Sequence, residues 1–549
     1  MDSSEISKIH QRHSDCQIVR ARYDDLYDEI SDFIDPEGVQ RDSSDTNDGS
    51  KKWGRVLDDT ATDAWETLRA GLMSGMSSPA RPWFRLSTGT PDLDESYAVK
   101  SWLSDVTRVV QMVFSKSNLY RALHQAYGDI GAYGTSAMIL EPSFRSIVHA
   151  NPLVTGSYCL AADYHGQINT LYRTMYCTTV QMVQEFGLKN CSLAVQNAWT
   201  ANNYSSLWEV LHVIEPRPEE QRDRSKHTGL HMAYRSAYLQ PGEIDRVLRE
   251  GGFREFRAVA PRWDVRGMNV YGSSPAMRAL GMVKGLQADH QLKNKALAYQ
   301  ADPPLVLDSS LKNQAANLLP GGLTYADLAS GKPGIQSAFD VRLDLNGLSM
   351  DVQDLRNLIR QAFYADVFMK ISMMDKTMTA TEAGLLQDEK MTKLGPVIER
   401  LTYELFYPLI DNIFARCVEA GVLPEAPAEL QGQELQVEFV SILAQAQRSV
   451  ATNGIDRFVG ALGTVATAKP EVMDKFDADK WADLYADLNG VDPDLIVPGE
   501  QVAIIRQSRA QQQQAAQAAQ NAQMNAAAAN QLAQASAKNG EMQQYTGYN

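Results

Sequence analysis

The residues able to do chemistry are scattered along this chain, and few stand at spacings that a reaction needs. Ser330–Gly334 reads SGKPG. This is a fragment of a phosphate-binding loop, but Pro333 stands where the hydroxyl belongs and the rest of G-x-x-x-x-G-K-[ST] is absent. Gly71–Gly75 reads GLMSG. Its serine comes one place late for a nucleophile elbow and lies inside a helical pattern, so small residues for close helix packing are the plainer reading. His10 and His13 stand three apart on an expected helix and share a face, but no third ligand accompanies them. Asp and Glu are plentiful, and solvated faces account for them. There is no dinucleotide fingerprint. Nothing here gives positive ground for an enzyme, a metal or a cofactor.

A different chemistry, adaptable contact without bond-making, stands at Lys370–Pro396, KISMMDKTMTATEAGLLQDEKMTKLGP. Lys370, Met373, Met374, Lys376 and Met378 alternate within nine residues. A buried core explains the methionines, as gap-fillers, but not the lysines. A solvated loop explains the lysines but not the methionines. Thr379 and Glu382 then match a capping box. The helix they open is expected to reach Lys393, kink or restart at Gly395-Pro396, and continue through Val397, Leu401, Leu405, Leu409 and Ile413. A second basic set, Arg278, Lys284, Lys293 and Lys295, faces only Asp289 on an expected helix over 274–301, a local charge of +3. A solvated surface is the plain reading of that set.

Several elements must position these residues. Apolar positions Ile9, Ile18, Leu26, Ile30 and Phe33 predict helix in the first 35 residues, and 36–52 reads as a loop. Asp58, Asp59 and Thr60 open a helix with the stripe Ala61, Trp65, Leu68, Leu72 and Met76. Two prolines stop it, and the strand PWFRL begins. Residues 95–141 predict two helices. Residues 145–263 predict a mixed sheet with a turn near Gly166 and helix near 178–200. Ser274 suits an N-cap and Pro275 the first helical position of 274–301, which ends at Asp302-Pro303-Pro304. A Gly- and Pro-rich insert over 302–350, with short strands at PLVL and DVRLDL, separates it from a second helix over 351–370. That helix has the stripe Val352, Leu355, Ile359, Phe363 and Val367. A strand at ELQVEFVS and further helices fill 435–509. Ala510–Ser536 holds 12 Ala and 9 Gln in 27 residues. Such a segment is disordered alone, or helical when bundled with copies of itself.

Composition bounds the rest. The chain has 549 residues, 44% hydrophobic and 22% charged, so a large core can form. A net charge of −15 removes any global attraction to nucleic acid or anionic lipid. Five cysteines, none in a C-x-x-C pair, point to reduced thiols. The start has no basic region followed by an apolar one, so no secretory signal is expected, nor is a membrane span.

Four blocks, in order, resemble one family: the portal, or head-to-tail connector, proteins of short-tailed bacteriophages. The most specific runs from T-A-T-E (Thr379–Glu382) through L-G-P (Leu394–Pro396) and E-L-x-x-P-L-I (Glu404–Ile410) to G-x-L-P (Gly421–Pro424). YGSSPAMRALG, with its P-P exit at Pro303-Pro304, is the second. LDDTATDAW followed by PWFRL is the third, and VSILAQAQR with the Gln-rich end is the fourth. The resemblance implies an α+β, mainly helical fold that forms a ring, commonly a dodecamer, at one vertex of the virion capsid. Its parts would be a wing over 1–270 and 381–440, stem helices over 271–301 and 351–370, and a clip over 302–350. A tunnel loop would occupy 371–380, a crown 441–509, and a tail 510–549, disordered or a helical barrel. It implies assembly in the host cytoplasm with major capsid and scaffolding proteins. It also implies docking of the terminase large subunit and then a tail adaptor protein, and non-specific, transient contact with double-stranded DNA. No membrane, metal or cofactor and no catalysis are implied. On this reading Lys370, Met373, Met374, Lys376 and Met378 form a soft constriction, and Arg278, Lys284, Lys293 and Lys295 form a basic stem face. The competing readings are another non-catalytic virion assembly protein, such as an internal core or scaffold, and a hydrolase with an unrecognised site.

Overall fold

The computed structural model describes residues 1–41, 52–80, 82–90, 96–223, 225–226, 228–243, 245–301, 305–307, 335–337, 345–368, 393–430, 436–439, 458–466, 469–489, 497 and 499–545. The chain divides into two units, Met1–Gln447 and Arg448–Asn549. Helix and antiparallel sheet are mixed, and helix predominates.

Three helices open the first unit, α1 (Ser3–Ala21), α2 (Asp24–Phe33) and α3 (Thr60–Met76), and its main core forms around the last two. On α3, Ala61, Ala64, Trp65, Leu68, Leu72 and Met76 are all buried, the spacing that puts a helix face on a core. Two more helices, α4 (Tyr97–Lys116) and α5 (Leu119–Tyr133), complete this layer. Trp65 Nε1 donates to the Gly128 carbonyl at 2.8 Å. A Cβ at Gly128 would come within 3.1 Å of Trp65 and Arg69, so the glycine lets α3 and α5 approach closely. Gly134 ends α5 in the left-handed conformation at φ 76°.

The expected strands are present, but the sheets are antiparallel, not mixed. A five-stranded sheet runs in sequence order through β4 (Tyr158–Ala162), β5 (Ile168–Thr178), β6 (Leu207–Pro216), β7 (Tyr234–Leu239) and β8 (Val247–Phe253). Neighbours joined by tight turns, such as the one at Gly166 with φ 79°, can only pair antiparallel. Helices α6 (Thr179–Phe186) and α7 (Leu193–Thr200) sit in the β5–β6 connection. Helix α1 covers one face of this sheet with Ile6 and Ile9. There Glu215, 7% exposed, is held by Arg12 at 2.7 Å and by Arg235 at 3.3 Å. A second sheet has the order β3–β2–β9: β2 (Ala137–Ser143), β3 (Ile147–Leu153) and β9 (Ala258–Val259). Strand β1 (Phe84–Ser87) pairs with β12 (Gln436–Phe439). Between them in sequence, β10 (Leu305–Leu307) pairs with β11 (Ile335–Ser337); the DVRLDL run lies mostly outside the described residues.

Helix α8 (Pro275–Ala301) matches the sequence reading, with the Ser274 hydroxyl accepting from Met277 N–H at 3.0 Å as N-cap. The second long helix differs. It is α9 (Leu345–Ala362), beginning before Asp351 and breaking at Tyr364, whose φ is 57°. Gly347 within a helix costs about 1 kcal/mol, which packing of α9 on α8 offsets. A helical run over 393–401 includes Pro396, then widens into one π-helical turn, Thr402–Phe406, before α10 (Tyr407–Glu419). The irregularity therefore sits at Thr402–Phe406, held where Arg262 forms a paired contact with Glu404 at 2.7 and 3.0 Å.

The second unit contains a helical run over 458–466, α11 (Ala478–Asn489) and α12 (Gly499–Tyr545), which takes up the Ala/Gln segment. Arg506 pairs with Asp479 at 2.6 and 2.7 Å.

Two carboxyls, half-buried Asp35 and buried Asp129, lie near the α2–α5 contact. Burial pushes Asp35 up to about 6, against a hydrogen bond from Tyr133, the charge of Arg69 and a backbone hydrogen bond from Glu37. Asp129 is raised further, by burial and then by Asp35, although Ser136 donates to it at 3.1 Å. A raised carboxyl favours folding while it is protonated and loses that contribution as pH climbs through its folded value. Asp35→Asn is therefore expected to be more stable than the parent above pH 6, by up to about 3 kcal/mol. Urea titrations at pH 4 and pH 8 check this, since the gap should close at the lower pH.

Candidate functional site

The feature that stands out is the pair α8 and α9, because it leaves the body of its unit. The first half of α8 is embedded: Ala276, Ala279, Leu280, Val283, Leu286 and Gln287 are buried. From Ala288 to Ala298 no residue is buried. About 14 residues thus project, roughly 20 Å of helix.

A polar collar sits where the pair emerges. Asp58, just before α3, has a side chain only 2% exposed. It accepts from Arg356 of α9 at 3.0 Å (Nε) and 2.8 Å (Nη2), and from Thr60 N–H at 2.9 Å. His290 of α8 brings Nε2 to 2.9 Å from Oδ2. Gln287 of α8 completes the collar. Its amide oxygen accepts from the N–H groups of Leu57 and Asp58 at 2.8 and 3.0 Å, and its nitrogen donates to the Asp58 carbonyl at 2.7 Å. Burial alone would raise the Asp58 carboxyl. The Thr60 and Arg356 hydrogen bonds outweigh it and hold the group below its ordinary value. The Asp58 carboxylate thereby fixes α9 to the start of α3, and Gln287 ties α8 to the backbone of the same turn.

These collar residues were not singled out in the sequence. Their signal was present: Gln287 and His290 fall where the α8 stripe asks for apolar side chains. Asp58 read only as part of a helix opening.

The basic residues of α8 do not form one face. At about 100° per residue, Arg278 and Lys293 fall within roughly 60° of each other, and Lys284 and Lys295 within about 20° on the opposite flank. Arg278, Lys284 and Lys295 are exposed, and Lys293 is half-buried. Lys284 pairs with Glu29 of α2 at 2.8 Å. Lys370, Met373, Met374, Lys376 and Met378, with Thr379 and Glu382, lie outside the described residues.

Among the described residues no group of three or more His, Cys, Asp or Glu could hold a metal, and no helix is long and apolar enough to cross a membrane. His13 packs against Tyr172 with the rings tilted and their centroids 5.5 Å apart, and burial pushes it down to about 4. That is a packed side chain.

Residues 7–497 match the family described as bacteriophage head to tail connecting protein. The chain is 51% identical over 493 residues to the "Probable portal protein" of Bordetella phage BPP-1, covering 89% of this chain and 88% of that one. It is 40% identical over 521 residues to the "Portal protein" of Salmonella phage epsilon15, covering 94% and 93%.

Removing the collar charge tests its weight. Asp58→Asn leaves Arg356 without its counter-charge, an expected loss of about 3 kcal/mol. A depressed carboxyl contributes fully above its unfolded value of about 3.9 and loses that contribution as pH falls through the folded value. The variant and parent should therefore differ at pH 5–7 and converge only below about pH 4. Hydrogen exchange at pH 7 should speed up in 288–298 and 345–357, with the five-stranded sheet unchanged.

Proposed function

This chain belongs to the bacteriophage head to tail connecting proteins, and from that premise we propose that it works as a ring of about twelve copies at one capsid vertex of a short-tailed phage. The near full-length match to two portal proteins carries this reading. DNA passes through the ring during packaging and again during ejection. The α+β body is the wing. Helices α8 and α9 are the stem, the sequence between them is the clip, and the region after 441 is the crown. The clip meets the terminase large subunit first and a tail adaptor later, while the rim of the ring meets capsid and scaffolding proteins.

Such a ring needs no catalytic group of its own, because a separate ATPase drives the DNA. It does need a wall along which DNA can slide. Twelve copies at −15 would total about −180, a field that repels phosphate and prevents tight binding. Weak, movable contacts then come from Lys370 and Lys376, with Met373, Met374 and Met378 adapting to the passing surface. The Arg278–Lys293 flank of α8 adds sparse positive charge to the same path. Helix α12, exposed nearly throughout 501–535, supports the ordered reading of the Ala/Gln tail. A ring would hold its copies at high local concentration and favour a bundle.

Two experiments test this. Heads assembled without the chain should contain no DNA, and antibody to the chain should label one vertex of complete heads. The double variant Lys370→Ala with Lys376→Ala should assemble normally but retain less DNA in filled heads. Unchanged packaging, retention and ejection would remove the role given to these lysines.

A further inference from the structure

Away from the projecting helices, an open cleft of about 450 Å³ lies between the β6–β7 connection and Glu250 of β8. The backbone holds the connection in place. Arg217 N–H donates to the Ala233 carbonyl at 2.8 Å, and Asp223 N–H to the His231 carbonyl at 3.0 Å. Two short 3-10 turns, Glu219–Gln221 and Gly229–His231, complete it. The cleft therefore exists before anything enters it.

Arg217 forms its floor, with a side chain only 3% exposed. Nη1 donates to Glu250 at 3.2 Å, and Nη2 to the carbonyls of Gly251 at 2.7 Å and Gly229 at 3.4 Å. Its Nε is buried and has no acceptor. Arg235, also 3% exposed, adds a second positive charge nearby but is taken up by Glu5, Glu215 and Gln221. Burial and the charge of Arg235 lower Arg217 from its ordinary value, and Glu250 offsets them only in part. A buried cation with an unmet donor is costly, and such a donor calls for a partner.

The rim repeats the imbalance. Arg222 spends Nε on the Arg217 carbonyl at 2.6 Å and keeps both Nη groups. Among the described residues the His231 ring makes no hydrogen bond. Lys226 pairs with Asp223 at 3.3 Å, but in solvent, where such a pair is weak. The carboxylates are mostly committed: Glu250 to Arg217 and Arg235, Asp223 to Ser225 and Lys226. Exposed Glu220 alone is left as an opposing charge. Donors without acceptors thus outnumber acceptors without donors.

We propose that this cleft binds a phosphate-type oxyanion, with Arg217 Nε and the Arg222 Nη groups as its main donors and His231 and Lys226 at its rim. A carboxylate offers two oxygens, whereas a terminal phosphate offers three, which suits donors carried on several side chains. The cleft is larger than one phosphate fills and lies in the range of small-molecule sites, so a phosphomonoester is accommodated as well as the free ion. Once bound, the oxyanion ties 217–231 to the edge of the five-stranded sheet at β8. The inference does not depend on the ring reading.

The test is calorimetric titration of the full-length chain with inorganic phosphate and, separately, with 5′-AMP, at fixed ionic strength and with chloride as control. The expected result is saturable binding at one site per chain. Arg222→Ala should weaken it at least about tenfold, the loss of one charge-assisted contact, and Glu220→Gln should tighten it. Both residues are exposed, so the variants should melt with the parent; Lys226→Gln, with a smaller loss, serves if Arg222→Ala does not fold. Tighter binding of 5′-AMP identifies an ester as the ligand, and tighter binding of phosphate the free ion. Hydrogen exchange with ligand present should slow in 217–231 and 247–253. No saturable binding of either probe, binding that Arg222→Ala leaves unchanged, or protection confined to other segments would each overturn the site.

Discussion

A carboxylate withdrawn from water must be matched by cations and N–H groups, and the placement of the projecting helices depends on how Asp58 meets that demand. Its hydrogen bonds come from the start of α3 and the middle of α9, while Gln287 of α8 holds the backbone of the same turn. Apolar packing fixes which faces of α8 and α9 turn inward, but it tolerates sliding and rotation by small steps. A hydrogen-bonded ion pair with defined donors does not. The collar therefore sets the angle at which about 20 Å of unsupported helix leaves the body. Errors there are amplified toward the tip.

Much of this architecture was legible from spacing alone. The stripe on α3, the Ser274 cap of α8, and the hairpin around Gly166 all follow from local periodicity and turn chemistry. These elements bury a face that their own sequence defines. The parts that were not legible depend on distant partners. The start of α9 was not legible because its apolar stripe begins only at Val352, whereas the helix begins at Leu345. The sheet was expected to be mixed because strand content says nothing about direction; the tight turn at Gly166 decides it for β4–β5, and the longer connections leave β5–β6 and β6–β7 open. The π-helical turn could not be foreseen, since Glu404 is ordinary until Arg262 arrives from 142 residues away.

The same limit applied to the candidate site. Four basic residues on one helix invited a single basic face, but helical phase splits them between two flanks. The resemblance to connector proteins came from short motifs, and the comparisons support it over most of the chain. Those motifs say nothing about the collar, whose residues lie between and beside them. A buried polar residue in an apolar stripe was the available clue, and it becomes meaningful only once a partner is known.

The central claim is that these chains close into a ring around a channel. Native mass spectrometry of the purified full-length chain, with negative-stain images of the same sample, tests it most directly, first alone and then with scaffolding and capsid protein present. The account predicts a closed ring of about twelve 60.8 kDa chains with a central hole. A monomer or dimer that persists with those partners present would contradict it.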